Sequence, residues 1–271
     1  MAYNFASTGD DLRITHIDSL GNSNTRWLLA GWFYPTTLTA GRHYWGAGTT
    51  TGVRIAATTS EIEIITNNTT DGVAITSGAG IVTDVWQFIA IFMQCSNTGP
   101  ILETRVWVGT LDTPPVEIPT SLSTSPAGNF SGAGNLNVGN AGNTTSLGFQ
   151  GDVGWQIALG NSPPGNHGPT TVGSTVAMAQ AETDHIFRTH VIPIWRGDHE
   201  MSNYNVGSGS GTGMSIATLW PCDTSPQDCI APMSGTPTLN NMSSFGPTFV
   251  QTRAPRPHQP GWPMVGSYVR R

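Results

Sequence analysis

Short apolar runs broken by Gly, Asn, Thr and Pro recur along the whole chain, and their spacing predicts strands rather than helices. Such runs fall at residues 12–17, 26–34, 43–46, 53–57, 61–66, 73–76, 86–94, 103–108, 136–138 and 154–159. Two kinds of pattern separate within this set. Glu61-Ile62-Glu63-Ile64 alternates, so one face of that strand should meet solvent. Residues 89–93 are apolar without a break, as expected of a central strand covered on both faces. Residues 176–190 break the β pattern. They contain helix formers and no Pro or Gly, so one short helix is predicted there, ended by Pro193. Residues 202–213 read as a Ser/Gly-rich loop and 214–221 as a returning strand. From Pro247 onward Pro255, Pro257, Pro260 and Pro263 favour an extended arm over a core element.

Composition supports this picture. Charged residues make up 10% of the 271, with 33 Gly and 19 Pro. The chain contains no lysine, so its basic side chains are all arginine. A chain of this length can bury a core without a disulfide or metal staple. The charge is uneven: seven arginines face seventeen acidic side chains up to Asp228, and four arginines with no acid follow it. An acidic body argues against nucleic-acid binding and leaves the basic tail as a docking element. No apolar run is long enough to span a bilayer as a helix. The opening Met1-Ala2-Tyr3-Asn4-Phe5 lacks the basic-then-apolar run of a secretory signal, so synthesis in a cytoplasm is expected. Cys95 ends a core strand. Cys222 and Cys229 are spaced compatibly with a disulfide or with two thiols.

Several phrases together resemble the concanavalin A-like, laminin-G-type jelly-roll superfamily. Phe5-Ala6-Ser7-Thr8-Gly9-Asp10-Asp11 is similar to the phrase that opens its first strand. Ala30-Gly31-Trp32-Phe33-Tyr34-Pro35 matches a further strand of that family, and 86–90 with 105–109 match its Trp-bearing hairpin. Residues 136–139 and 149–154 match a later Gly-containing phrase. The helix and Leu219-Trp220-Pro221 are similar to features of bacteriophage-encoded members, and the resemblance covers roughly residues 3–220. It implies an all-β, antiparallel jelly-roll β-sandwich with one short helix and an extended C-terminal arm. The division is then a sandwich domain over 1–221 and a strap and arm over 222–271. The family includes lectins, glycosidases, adhesion modules and virion proteins, so fold alone does not set function.

The chemistry-bearing residues are sparse. Glu61 and Glu63 share a strand face, the one counterpart to the carboxylates of a sandwich glycosidase, but no third acid follows and a solvated face explains them better. His185, His190, Asp198, His199 and Glu200 are the richest ligand cluster, yet the histidines miss the i, i+4 spacing that puts two ligands on one helical face. Asp10, Asp11, Asp71 and Asp152 are loop carboxylates without the clustering calcium needs. No metal or cofactor is expected. Gly207-Ser208-Gly209-Ser210-Gly211 has the letters of a nucleophile elbow without its strand–turn–helix context. Trp86, Trp107 and Trp155 belong to strand signatures and are expected in the core, whereas Trp45 is a candidate sugar platform. In the arm, Arg253, Arg256, Trp262, Arg270 and Arg271 are candidate partner-binding residues, because Arg and Trp on a proline-stiffened chain suit an interface. The expected function is a non-enzymatic virion structural protein of a bacteriophage, a capsid decoration or cement protein. It would assemble in the host cytoplasm, bind capsid or tail subunits and form a homo-oligomer on the particle. The alternative is a glycan-binding tail or adhesion module, with a polysaccharide hydrolase a distant third.

Overall fold

The computed structural model describes residues 2–9, 11–15, 26–47, 51–55, 61–65, 74–76, 78, 80–95, 101–122, 135–140, 148–160, 180–196, 215–220, 238–240 and 249–250. The strands in chain order are β1 (Ala2–Phe5), β2 (Asp11–Thr15), β3 (Arg26–Pro35), β4 (His43–Ala47), β5 (Thr51–Ile55), β6 (Ile62–Ile65), β7 (Ala74–Thr76) and β8 (Gln87–Cys95). They continue as β9 (Ile101–Thr110), β10 (Val116–Ile118), β11 (Thr120–Leu122), β12 (Asn135–Val138), β13 (Gly151–Gly160), β14 (Ser215–Trp220), β15 (Thr238–Asn240) and β16 (Phe249–Val250). Every pairing between these named strands is antiparallel. They form two eight-stranded sheets: β10-β9-β8-β3-β13-β1-β16, with β14 beside β13, and β11-β7-β6-β5-β4-β12-β2-β15. The protein is therefore an all-β antiparallel sandwich. We call the first sheet the front and the second the back.

The front sheet is buried on both faces, which is why its central strands carry no polar alternation. Leu28, Ala30 and Trp32 of β3 point outward with Phe88, Ala90 and Phe92 of β8, Trp107 of β9, and Trp155 and Ile157 of β13. Residues of opposite parity point toward the back sheet, where Phe33 meets Tyr44 and Trp45 of β4 edge-on at 4.8 Å each. Phe149 and Phe5 extend this inner cluster. Gly139, just after β12, adopts φ +83° directly beneath Phe5, and a Cβ there would approach the ring to 2.6 Å.

A helical segment roofs the outer face. It comprises α1 (Gln180–Ile186), a π-helical turn (Phe187–Val191) and α2 (Ile192–Arg196). Ile186, Val191 and Ile194 bury against the tryptophan floor. Phe187 stacks on Trp107 at 5.9 Å, and Trp195 Nε1 donates to Thr110 O at 2.9 Å. The expectation that Pro193 ends the helix is corrected. The segment continues to Arg196 because the π turn, closed by Ile192 N–H to Phe187 O, starts a new register. Pro193 then lies second in α2, where a missing N–H costs little.

One irregularity in β13 has a visible compensation. The register against β3 shifts between Val153 and Gln156, so one extra residue is inserted opposite Trp32. Gln156 is fully buried, and its Nε2 donates to Trp32 O at 3.1 Å and Gly154 O at 3.2 Å, supplying both carbonyls at the bulge. The side chain lies across Gly31, where a Cβ would come within 2.0 Å of Gln156 Oε1. The glycine in the middle of the Ala30–Trp32 run is thus the seat of that glutamine.

Each side of the sandwich is closed by chain that passes from one sheet to the other. β10 edges the front sheet and, across Pro119, β11 edges the back sheet. On the opposite side β15 pairs with β2 and β16 with β1. Two short strands within the predicted strap and arm, 222–271, are therefore the outermost strands of both sheets.

Candidate functional site at the loop end of the sandwich

β3 ends, β4 begins, β8 begins, β9 ends and β13 begins at one end of the molecule. Its polar half is a network drawn from distant segments. Arg42 Nη1 donates to Thr37 Oγ1 at 2.9 Å and also to Gln150 Oε1. Thr37 Oγ1 donates to the same Gln150 oxygen at 3.3 Å, while Gln150 Nε2 donates to Ala6 O at 3.2 Å. The Gln150 amide thus ties the chain before β2 to the β3–β4 loop. Partial burial lowers the Arg42 pKa. Beside this network Asn4 Nδ2 donates to Asp152 Oδ1 at 2.6 Å across the β1–β13 pair, and Asn140 Nδ2 donates to Thr8 O at 3.2 Å. Burial pushes the Asp152 carboxyl pKa up, and the bond from Asn4 partly opposes that.

Aromatic and apolar groups make the other half. Tyr34 is half-buried and lies against Trp86, ring centroids 5.6 Å apart. Asp84 is the non-glycine residue with positive φ, +59°, among the described residues, and its N–H donates to Pro35 O at 2.8 Å. Such a conformation costs roughly 1 kcal/mol in most L-residues, and aspartate is among those that tolerate it best. The large apolar side chains exposed among the described residues are Val82, Val85, Leu111 and Val116, and all lie at this end.

The expected site residues fare unevenly. Trp45 is 1% exposed and packed on Phe33, so it is a core residue rather than an open sugar platform. The correction has a physical basis. A register shift in β4 between His43 and Trp45 turns Tyr44 and Trp45 both inward, where a regular strand would expose one. Trp86, Trp107 and Trp155 are core residues as expected, buried beneath the helix. Glu61 and Glu63 alternate with buried Ile62 and Ile64, as the pattern predicted. His185 is exposed, while burial and the nearby charge of His185 hold the His190 pKa down to about 4. No group of three metal-ligating side chains occurs among the described residues. Asp198, His199 and Glu200, the loop carboxylates Asp10 and Asp71, and Arg253, Arg256, Trp262, Arg270 and Arg271 lie outside the described residues. Cys222 and Cys229 do so too. No sequence spacing pointed to Thr37, Arg42 and Gln150, since contacts about 110 residues apart (108 and 113) leave no local motif.

No protein-family model matches the chain, and no curated protein does. Among solved structures it is similar to a crystal structure of a candidate carbohydrate-binding protein from Bacteroides ovatus. The two share 14% identity with a TM-score of 0.48, over 88% of this chain and 57% of that one. The chain thus spans little more than half the length of that structure.

Proposed function

We propose that the protein is a non-catalytic binding protein whose ligand is a glycan, held at the loop end of the sandwich. The observation that carries this is the Arg42–Thr37–Gln150 network at the same end as the half-exposed ring of Tyr34. A sugar presents neighbouring hydroxyls that both give and accept hydrogen bonds, together with an apolar ring face. A guanidinium offers several donors in a fixed fork, and an amide and a hydroxyl offer both roles. A tyrosine ring supplies a flat apolar surface with a polar tip. Fixing these groups to one another before the ligand arrives lowers the ordering cost of binding. The outer face of the front sheet, the other broad surface rich in aromatics, is closed by the helix.

The test is a glycan array probed with the full chain, followed by titration of any hit. Arg42→Ala and Tyr34→Ala should each weaken binding at least about tenfold. An array without hits for the native chain, or hits indifferent to both substitutions, would discard the proposal.

A second function rests on the tail. Four arginines, Trp262, Met264 and Tyr268 on an acid-free, proline-rich segment suit docking to subunits of a bacteriophage particle, as a capsid decoration protein would. Removal of residues 251–271 should then abolish incorporation into particles while leaving the sandwich melt unchanged.

A further inference from the structure

We propose that the C-terminal arm, residues 251–271, docks on the loop end of a second copy of this chain, in the apolar zone formed by Val82, Val85, Leu111 and Val116. Three observations meet in this assignment. The first is the zone itself. These valines and the leucine are 40–56% exposed and gathered at one end, with the exposed carboxylates of Asp84 and Asp112 among them. Clustered exposed apolar side chains mark contact surfaces, whereas scattered ones do not. Arg196, at the end of α2, lies on the helix side of this zone, and Glu117 is already engaged by Arg105 at 2.6 Å.

The second observation is the composition of the arm. It offers large apolar anchors, Trp262, Met264 and Tyr268, and its charges are arginines alone, while the body up to Asp228 carries seventeen acids against seven arginines. Apolar anchors with flanking cations complement an apolar zone with flanking carboxylates.

The third is where the arm starts and which way it leaves. β1 runs toward the loop end, since Phe5 pairs with Gly151 beside Gln150. β16 is antiparallel to β1, with Phe249 opposite Tyr3 and Val250 opposite Ala2, so the chain leaves Val250 heading away from the loop end. β16 is also at the opposite edge of the front sheet from β10, six strand spacings or about 29 Å across. To reach its own zone the arm must reverse and recross the molecule, and Pro255, Pro257, Pro260 and Pro263 stiffen it against that. Extended, its twenty-one residues reach about 65 Å in the direction of a following copy. The contact is head-to-tail: arm on one copy, zone on the next, closing as a ring or growing as a chain. It does not depend on the glycan proposal.

The experiment is sedimentation velocity on the full chain and two full-length variants, Val116→Glu and Trp262→Ala. The native chain should associate, and salt should weaken the association. Each variant alone should weaken it at least about tenfold. Mixed, they should form a 1:1 dimer that grows no further, because Val116→Glu keeps a working arm and Trp262→Ala keeps a working zone. Val116 is exposed on an edge strand, so thermal melts of the variants should match the native chain. A monomeric native chain, association that survives Val116→Glu, or a mixture that stays monomeric would each overturn the proposal. Separate failure of Arg42→Ala to affect glycans would bear only on the glycan site.

Discussion

The central strands of the front sheet are buried on both faces, yet the two faces are covered in different ways. The inner face meets another sheet, and its contacts, such as Phe33 with Tyr44, Trp45 and Phe149, join strands from distant parts of the chain. The outer face carries larger side chains, Trp32, Trp86, Trp107 and Trp155, but its cover is one helical segment of seventeen residues interrupted by a π turn. Burial of an aromatic side chain removes ~150–250 Å² from water, about 4–6 kcal/mol at ~25 cal/mol per Å². The same burial stabilises the whole fold on the inner face and mainly anchors one helix on the outer face. Equal burial therefore does not mean equal cooperativity.

The largest way to break the contrast is a matched pair of deletions. Phe33→Ala should cost about 4 kcal/mol and lower the melting temperature of the entire sandwich. Ile194→Ala should cost about 3 kcal/mol, and its signature should be local. Amide exchange should accelerate over 180–196 while the β3, β8 and β13 amides keep their protection. Equal acceleration in both variants would show that the roof and the sandwich open together.

Acid should sharpen the same distinction. His190 sits in the π turn with its pKa lowered from 6.5 to about 4, so the folded protein favours the neutral imidazole. Stability from this group is complete above the ordinary histidine value and is lost as pH falls from about 6.5 toward 4, up to about 3 kcal/mol. Asp152 has the opposite sign. Its raised pKa makes its contribution complete below the ordinary carboxylate value of 3.8 and lost as pH rises through the folded value. Thermal melts between pH 6.5 and 4 should therefore fall for the native chain and flatten for His190→Gln, with Trp107 fluorescence reporting the loss of the Phe187 stack.

The smallest expected effect is at the bulge. Gln156→Met keeps the volume but removes the donors to Trp32 O and Gly154 O, at a cost of about 2 kcal/mol by chemical denaturation. A silent substitution would mean that those carbonyls find other donors.

Much of this fold was legible in the sequence because its strands are local patterns. The unbroken apolar run at 89–93 gave a central strand, and the alternation at 61–64 gave a half-exposed one. What escaped was set by neighbours. β10 and β11 lie among Pro114, Pro115 and Pro119 and are strands because β9 and β7 offer them edges. Pro193 looked like a stop because a π turn has no sequence signature. Trp45 looked available because a register shift cannot be read from residue types. The site was less legible than the fold. Arg42 gained meaning only when folding brought Gln150 to it.

The strands that border β1 and β2, β16 and β15, are made after all the other described strands. Until residue 250 has been synthesised, the first two strands of the chain have no partner on their outer sides. That flank is thus open until β15 and β16 are made, and these two short strands complete both sheets. A stop codon shortly before residue 238 would yield a chain that keeps every buried hydrophobic residue among the described residues but has two unpaired edges, which favour edge-to-edge association.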